Sequence, residues 1–146
     1  MLLDRMLRVL KVNGFLLIVG LEPYELVLDR SNPHDRYVLD VEAIGDSAAL
    51  IVGESTYREL PQQWIIEQIG RRSDFSIVAA QQFQMNLTAR SMIRQLDYAS
   101  KTAKKIVDRD LREAFEKRIE DLRLGLDTFT THTRARNYAV VVQRKS

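Results

Sequence analysis

Three short, largely apolar runs, separated by segments with helical spacing, constrain the fold of this chain more than any other feature. The runs cover residues 15–19, 75–80 and 138–142. Apolar runs of this length bounded by turn residues are typical of strands, and strands that alternate with helices indicate an α/β fold. We therefore predict an α/β domain with strands at about 15–20, 75–80 and 138–143. The length of 146 residues fits one domain.

The first run, Phe15–Val19, is apolar at every position. Side chains alternate between the two faces of a strand, so this composition predicts a strand covered on both faces. The turn signal Asn13-Gly14 precedes it, and we expect Gly14 to end a helix over residues 1–11 in the left-handed conformation.

Helical spacing of apolar residues fills most of the remaining chain. Thr88 is the expected cap of a helical segment over 88–126, which is either one long helix or two helices with a break near Asp108. Pro61 is expected to open a helix that reaches about Gly70. Residues 39–52 predict a short helix, and residues 20–38 predict a loop.

Composition excludes several classes of function. The chain is 29% charged with a formal net charge of +2 and has no cysteine, which excludes disulfides, a thiolate nucleophile and cysteine-ligated metals. Charged residues interrupt the first 20 positions, so we expect neither a signal peptide nor a membrane span there. We therefore expect a cytoplasmic protein. Basic residues in 88–123 alternate with acidic ones and few aromatics lie among them, which argues against nucleic-acid binding.

Three stretches carry a resemblance to a known family. Arg8-Val-Leu-Lys11, followed by Gly14 and an apolar strand, resembles the segment leading into the fifth strand of class I S-adenosylmethionine-dependent methyltransferases. Val12 and Asn13 stand where that family has Pro and Gly. Residues 136–145 resemble the last strand of that fold, and residues 57–64 resemble a segment before a helix in one of its subgroups.

The resemblance implies a fold and an activity. Residues 1–146 would form the C-terminal half of a Rossmann-like methyltransferase sheet, with the last strand antiparallel between the other two and residues 88–126 as a helical cap insert. The activity implied is methyl transfer from S-adenosylmethionine to an unidentified acceptor. The family binds this cofactor with a Gly-x-Gly-x-Gly turn, and none of the six glycines here lie two residues apart. We therefore expect this chain alone not to bind the cofactor.

The alternative is that the chain has a different α/β fold and is a non-catalytic interaction module that binds another protein.

Under the methyltransferase interpretation, the strand at 15–19 lacks one neighbour and leaves an open apolar edge. We expect this edge to mediate self-association or to pair with the missing N-terminal half.

Six side chains are candidates for substrate binding. Glu22 and Tyr24 follow the first strand, where open α/β sheets bind ligands. A guanidinium can hold a carboxylate or phosphate, and an imidazole can act as a base near neutral pH. Loop, ion-pair and core-packing roles are the alternatives for these residues, and no spacing typical of metal ligands is present. The candidates are Glu22, Tyr24, Tyr57, Arg58, Trp64 and His132.

Overall fold

A computed structural model describes residues 2–56, 59–128 and 134–146 of the chain. Helices and strands alternate along these residues, as the apolar pattern predicts. The elements in chain order are α1 (Leu2–Val9), β1 (Phe15–Leu21), α2 (Tyr24–Val27), α3 (Pro33–Ile51), α4 (Gln62–Gly70), β2 (Phe75–Asn86), α5 (Ala89–Ala103), α6 (Arg109–Leu124), a short 3-10 helix (Gly125–Thr128) and β3 (Arg134–Arg144).

The three strands form one sheet in the order β1-β3-β2. β1 pairs antiparallel with β3, from Phe15 opposite Gln143 to Leu21 opposite Asn137. The last strand in sequence therefore lies at the centre of the sheet, as the resemblance implies. The prediction of an α/β fold is confirmed at the level of a three-stranded antiparallel sheet accompanied by helices.

The chain divides into two compact units, and each is built from separate stretches of sequence. One unit, the sheet unit, comprises the described residues of Met1–Pro23, Glu59–Met85 and Arg136–Ser146. The other, the helical unit, comprises the described residues of Tyr24–Arg58 and Asn86–Ala135. The predicted insert at 88–126 falls within the helical unit, together with α3.

The core of the sheet unit lies on one face of the sheet. Leucines of α1 and isoleucines of α4 pack there against alternate residues of β3, with Leu16 and Ile18 of β1 at the margin. The buried members are Leu3, Leu7, Ile65, Ile69, Phe75, Tyr138, Val140 and Val142.

The other face of β1 is open to solvent. Phe15, Leu17 and Val19 are exposed, in strict alternation with the half-buried Leu16 and Ile18. The prediction that β1 is covered on both faces is therefore wrong for the part of the chain that the structure describes. The core gathers α1 and α4 on a single face, so the apolar side chains on the opposite face of β1 have no described layer over them.

The turn before β1 also differs from the prediction. Asn13, not Gly14, has the left-handed conformation, with φ of 62°. Asparagine tolerates this region because its short polar side chain can bond locally. Gly14 meets a different requirement, since a Cβ there would lie 2.8 Å from the carbonyl oxygen of Lys11.

The helical unit packs α3, α5 and α6 together. Small residues at the contact surfaces of α3 and α5 allow the two backbones to approach closely, and these are Gly45, Ala48, Ala49, Ala99 and Ala103. Thr88 caps α5 and Asp108 caps α6, which confirms both the expected cap and the break between two helices. No helix among the described residues is long and apolar enough to cross a bilayer.

The predicted loop over 20–38 is wrong in part. α2 occupies Tyr24–Val27, and α3 begins at Pro33 rather than near residue 39. Asn32 explains this early start, because its side-chain oxygen accepts hydrogen bonds from the N–H groups of His34 and Asp35.

Two strands extend beyond their predicted bounds. β2 continues to Asn86 and β3 begins at Arg134. Three of the six residues added to β2 are glutamines, which interrupt the apolar run on which the predicted strand end was based.

Candidate functional site

A buried carboxylate lies directly after β1 in the sheet unit. Glu22 is only 6% exposed, and its backbone N–H donates to the carbonyl oxygen of Arg136 at 2.8 Å. This bond extends the β1–β3 ladder by one step and fixes where the side chain starts. Buried carboxylates are rare unless hydrogen-bonded, so the partners of Glu22 define its role.

Two donors from different elements converge on one oxygen of Glu22. Its Oε1 accepts from the backbone N–H of Gln62 at 3.1 Å and from Nε2 of Gln82 at 3.2 Å. Gln62 is the first residue of α4, and the preceding Pro61 has no polar side-chain atom to cap the helix. Glu22 therefore supplies an acceptor at a helix N-terminus, where exposed N–H groups and the helix dipole favour negative charge.

Further bonds join the start of α4 to β2 and β3. Nε2 of Gln62 donates to the carbonyl oxygen of Gln81 at 3.0 Å, and the Tyr138 hydroxyl donates to the carbonyl oxygen of Leu60 at 2.6 Å. We refer to Glu22, Leu60, Gln62, Gln82 and Tyr138 as the Glu22 cluster. It connects the carboxyl end of β1 with β2, β3 and the entry to α4.

Gly20 makes room for one member of the Glu22 cluster. Gly20 lies opposite Tyr138 in the β1–β3 register, and a Cβ at this position would lie 2.4 Å from the Tyr138 ring. The ring covers the glycine and brings its hydroxyl to Leu60. A glycine inside a strand commonly marks such a close approach.

The Glu22 cluster presents a hydrogen-bond acceptor, the Glu22 carboxylate, whose orientation is fixed by its two donors. Its carboxylate can accept a further bond from a substrate hydroxyl or amine. No group of three or more histidine, aspartate or glutamate side chains suited to a metal ion occurs among the residues that the structure describes. Two donors hold one oxygen of the Glu22 carboxylate in place, so the arrangement can position a substrate group that donates a hydrogen bond.

The predicted site residues are distributed as follows. Glu22 belongs to the cluster, whereas Trp64 is partly buried and packs against the core of the sheet unit. Tyr24 is buried at the start of α2 and belongs to the helical unit. Tyr57, Arg58 and His132 lie outside the described residues.

Three members of the Glu22 cluster are not among the residues predicted from the sequence: Gln62, Gln82 and Tyr138. Gln62 could have been found from its place directly after Pro61, where a helix exposes N–H groups that need acceptors. The glycine within the β1 run was a signal for a bulky cross-strand partner such as Tyr138. Gln82 had no signal, because its strand was predicted to end at residue 80.

Each unit also contains a separate groove. In the sheet unit, a cavity of about 160 Å³ is lined by Leu7, Arg8, Arg72, Asp74, Phe75 and Arg144. Nearby, the Arg72 guanidinium donates to the Asp4 carboxylate and holds the pKa of that carboxyl below its usual value. In the helical unit, a cavity of about 410 Å³ lies between the end of α3 and the start of α6. Neither groove contains a predicted site residue.

Comparison with known proteins does not assign this chain to a family. No family model matches the chain, and no curated protein is similar to it.

Proposed function

We propose that this chain is the substrate-side half of a class I S-adenosylmethionine-dependent methyltransferase with a Rossmann-like sheet. In this proposal the cofactor-binding half, with its Gly-x-Gly-x-Gly turn, is supplied by a further segment or chain and pairs with β1. The acceptor of the methyl group is not specified, and a cytoplasmic location belongs to the same proposal.

One observation carries the proposal. The order β1-β3-β2, with the last strand between the other two and antiparallel to the first, is the order that the resemblance implies for the end of the family's sheet. Three strands can adopt two other orders, β1-β2-β3 and β2-β1-β3, and neither has the last strand at the centre. The Arg8–Lys11 stretch and Gly14 lead into β1, the strand that the resemblance assigns to the fifth position.

The surface of β1 gives independent support. β1 lies at an edge of the described sheet, and its seven residues include no charged residue or proline. Natural edge strands are usually protected by such residues. Together with the exposed Phe15, Leu17 and Val19, the edge suits a neighbouring strand and a covering layer of the kind that the other half of a larger sheet supplies.

The Glu22 cluster has a role in this proposal. Methyl transfer from a sulfonium requires mainly that the acceptor be held in line with the donor. Glu22 follows the carboxyl end of β1, where open α/β sheets bind ligands. We assign it to orienting an acceptor hydroxyl or amine, with Gln62 and Gln82 fixing the carboxylate.

Calorimetric titration with S-adenosylmethionine tests the proposal on two proteins. One is this chain, and the other is the product of the gene read upstream of Met1. We expect micromolar binding by the extended product and none by the chain alone, because the chain's sequence lacks the glycine turn.

Two outcomes would contradict the proposal. Micromolar binding by the 146-residue chain would refute the division of the site. An upstream sequence without a Gly-x-Gly-x-Gly turn, in a product that binds no cofactor, would refute the methyltransferase assignment. The second result would favour the alternative of an interaction module, for which the exposed apolar face of β1 is the supporting observation.

A further inference from the structure

The strand at the other edge of the sheet, β2, is unusually long and carries no charge. Its twelve residues, Phe75–Asn86, include no charged residue, no proline and no glycine. β2 pairs with β3 on one side and forms an edge of the described sheet on the other. This edge is distinct from the β1 edge that the proposed function assigns to the cofactor-binding half.

Most of β2 is open to solvent. Residues 78–86 are all exposed, and three of them are large and apolar: Val78 is 54%, Phe83 44% and Met85 51% exposed. Exposed apolar side chains at single positions are ordinary, but three on one uncharged edge strand are not. The edge lacks the lysines, prolines and short length that keep natural edge strands from pairing.

We propose that β2 is a homodimerisation strand, which pairs antiparallel with β2 of a second copy around a two-fold axis located within residues 78–86. The two sheets would join into one sheet of six strands. Pairing of β2 with itself closes a dimer, whereas pairing of β2 with the β1 edge of the next copy would leave free edges and form filaments.

A second copy is the partner that fits the charge of this strand. An edge that recognises a different protein usually carries charges that select the partner and set the register. β2 carries none over twelve residues, so two copies meet without like-charge repulsion.

The expected contact is large enough for a specific dimer. Antiparallel pairing forms about one backbone hydrogen bond per paired residue. The Gln81 carbonyl oxygen already accepts from Nε2 of Gln62, so an overlap over 78–86 gives roughly seven bonds between copies. Specific interfaces carry about ten direct hydrogen bonds, with a spread of about five. Val78, Phe83 and Met85 of each copy also gain cross-strand neighbours, which stabilise paired strands.

Lysine substitution on β2 tests the interface. We expect the unaltered chain to sediment as a dimer, and Phe83→Lys and Val78→Lys to weaken dimerisation at least tenfold by placing a charge on the edge. Val107→Lys is the matched control, because Val107 is also an exposed apolar residue (94%) but lies between α5 and α6. Circular dichroism checks that each variant is folded.

Distances between spin labels test the geometry. The chain has no cysteine, so single cysteines at Ala79, Gln81, Phe83 and Met85 each carry one label per copy. Around a two-fold axis, the distance between identical positions is smallest at the axis and rises by about 7 Å per residue on either side, twice the rise of a strand.

The outcomes separate this inference from the proposed function. A distance profile with one minimum within 78–86 supports the inference. A uniformly short profile means parallel stacking, and a monomer or a dimer insensitive to both β2 lysines means that this edge is not the interface. A uniformly short profile, a monomer, or a dimer insensitive to both lysines would each overturn the inference. None of these three results bears on cofactor binding.

Discussion

Replacing Gly20 by alanine should disturb the Glu22 cluster from a position outside it. The added Cβ would lie 2.4 Å from Cζ and from the hydroxyl oxygen of Tyr138, and 2.9 Å from Cε1. These contacts are with the body of a buried aromatic ring, which is only 3% exposed. The ring cannot rotate away as a flexible side chain would, so either the ring or the strand must move.

The magnitude follows from two contributions. Overpacking a well-filled core costs about 1–3 kcal/mol. If the ring shifts, the 2.6 Å bond from the Tyr138 hydroxyl to Leu60 is also lost or weakened, at about 1 kcal/mol. We therefore expect Gly20→Ala to lower the free energy of unfolding by about 2–4 kcal/mol. This is a large share of the 5–15 kcal/mol typical of a domain.

Tryptophan fluorescence during urea unfolding measures the effect in the relevant unit. Trp64 is the only tryptophan and packs against the core of the sheet unit, so its emission reports unfolding of that unit. Gly70→Ala is the matched control, since nothing lies within 4 Å of a Cβ at that position. Gly70 is the last residue of α4, so we expect the control to leave stability unchanged or to raise it by up to about 1 kcal/mol, and not to lower it.

A double-mutant cycle identifies the cause. In a Tyr138→Leu background the ring that Gly20→Ala strikes is absent, so the substitution should cost much less there than in the unaltered chain. Equal costs in the two backgrounds, or a cost of Gly20→Ala no greater than that of Gly70→Ala, would refute the close approach of Gly20 and Tyr138.

Three further predictions concern other parts of the chain. Gly45→Ala should stabilise the helical unit by about 0.5–1 kcal/mol in thermal unfolding followed by circular dichroism, because alanine favours helix and its Cβ would meet neighbours at an ordinary 3.8 Å; a loss of stability would contradict this. Glu22→Ala should lower the free energy of unfolding, measured in urea, by about 1–3 kcal/mol, because the N–H of Gln62 loses its acceptor. Glu22→Gln keeps an acceptor oxygen and should lower it less. Equal losses for the two variants would refute the capping role. The Arg72 hydrogen bond lowers the pKa of the Asp4 carboxyl, so the folded state binds this proton less readily than the unfolded chain, and the resulting stability is present above the usual pKa of 3.8 and is lost as the pH falls through the lowered pKa. The difference in free energy of unfolding between the unaltered chain and Arg72→Gln should therefore become smaller in acid. A difference that does not change with pH would contradict this prediction.

The sequence predicted elements well where the signal was local. Thr88 marks a helix start by its own side chain, and the structure confirms this cap. Of the two alternatives for 88–126, the structure has two helices, with Asp108 as the cap of the second. The start of β1 was found from an apolar run and a preceding turn, both within a few residues. The end of β2 was missed because glutamines form strand there only through pairing with β3, which lies some 50 residues away in the chain.

The predicted site was harder to derive because its contacts are distant in sequence. Glu22 was selected for its place after β1, but its donors come from Gln62 and Gln82. The sequence around a glutamine does not indicate which acceptor its amide group will bind, and glutamine is common at protein surfaces. The covering of β1 was also mispredicted, because the composition of a strand records how apolar its two faces are and not how many helices pack on them.

The place of β3 in the sequence has a consequence for how the chain is made. β3 is the central strand of the sheet, yet it follows β1 by more than a hundred residues, since Phe15 pairs with Gln143. During synthesis from the N-terminus, β1 and β2 emerge first and are not each other's partners. Helices α3, α5 and α6 of the helical unit, all upstream of β3, can associate before β3 is synthesised. Two uncharged strands are therefore synthesised before the strand that joins them, and pairing between segments so far apart in the chain forms slowly.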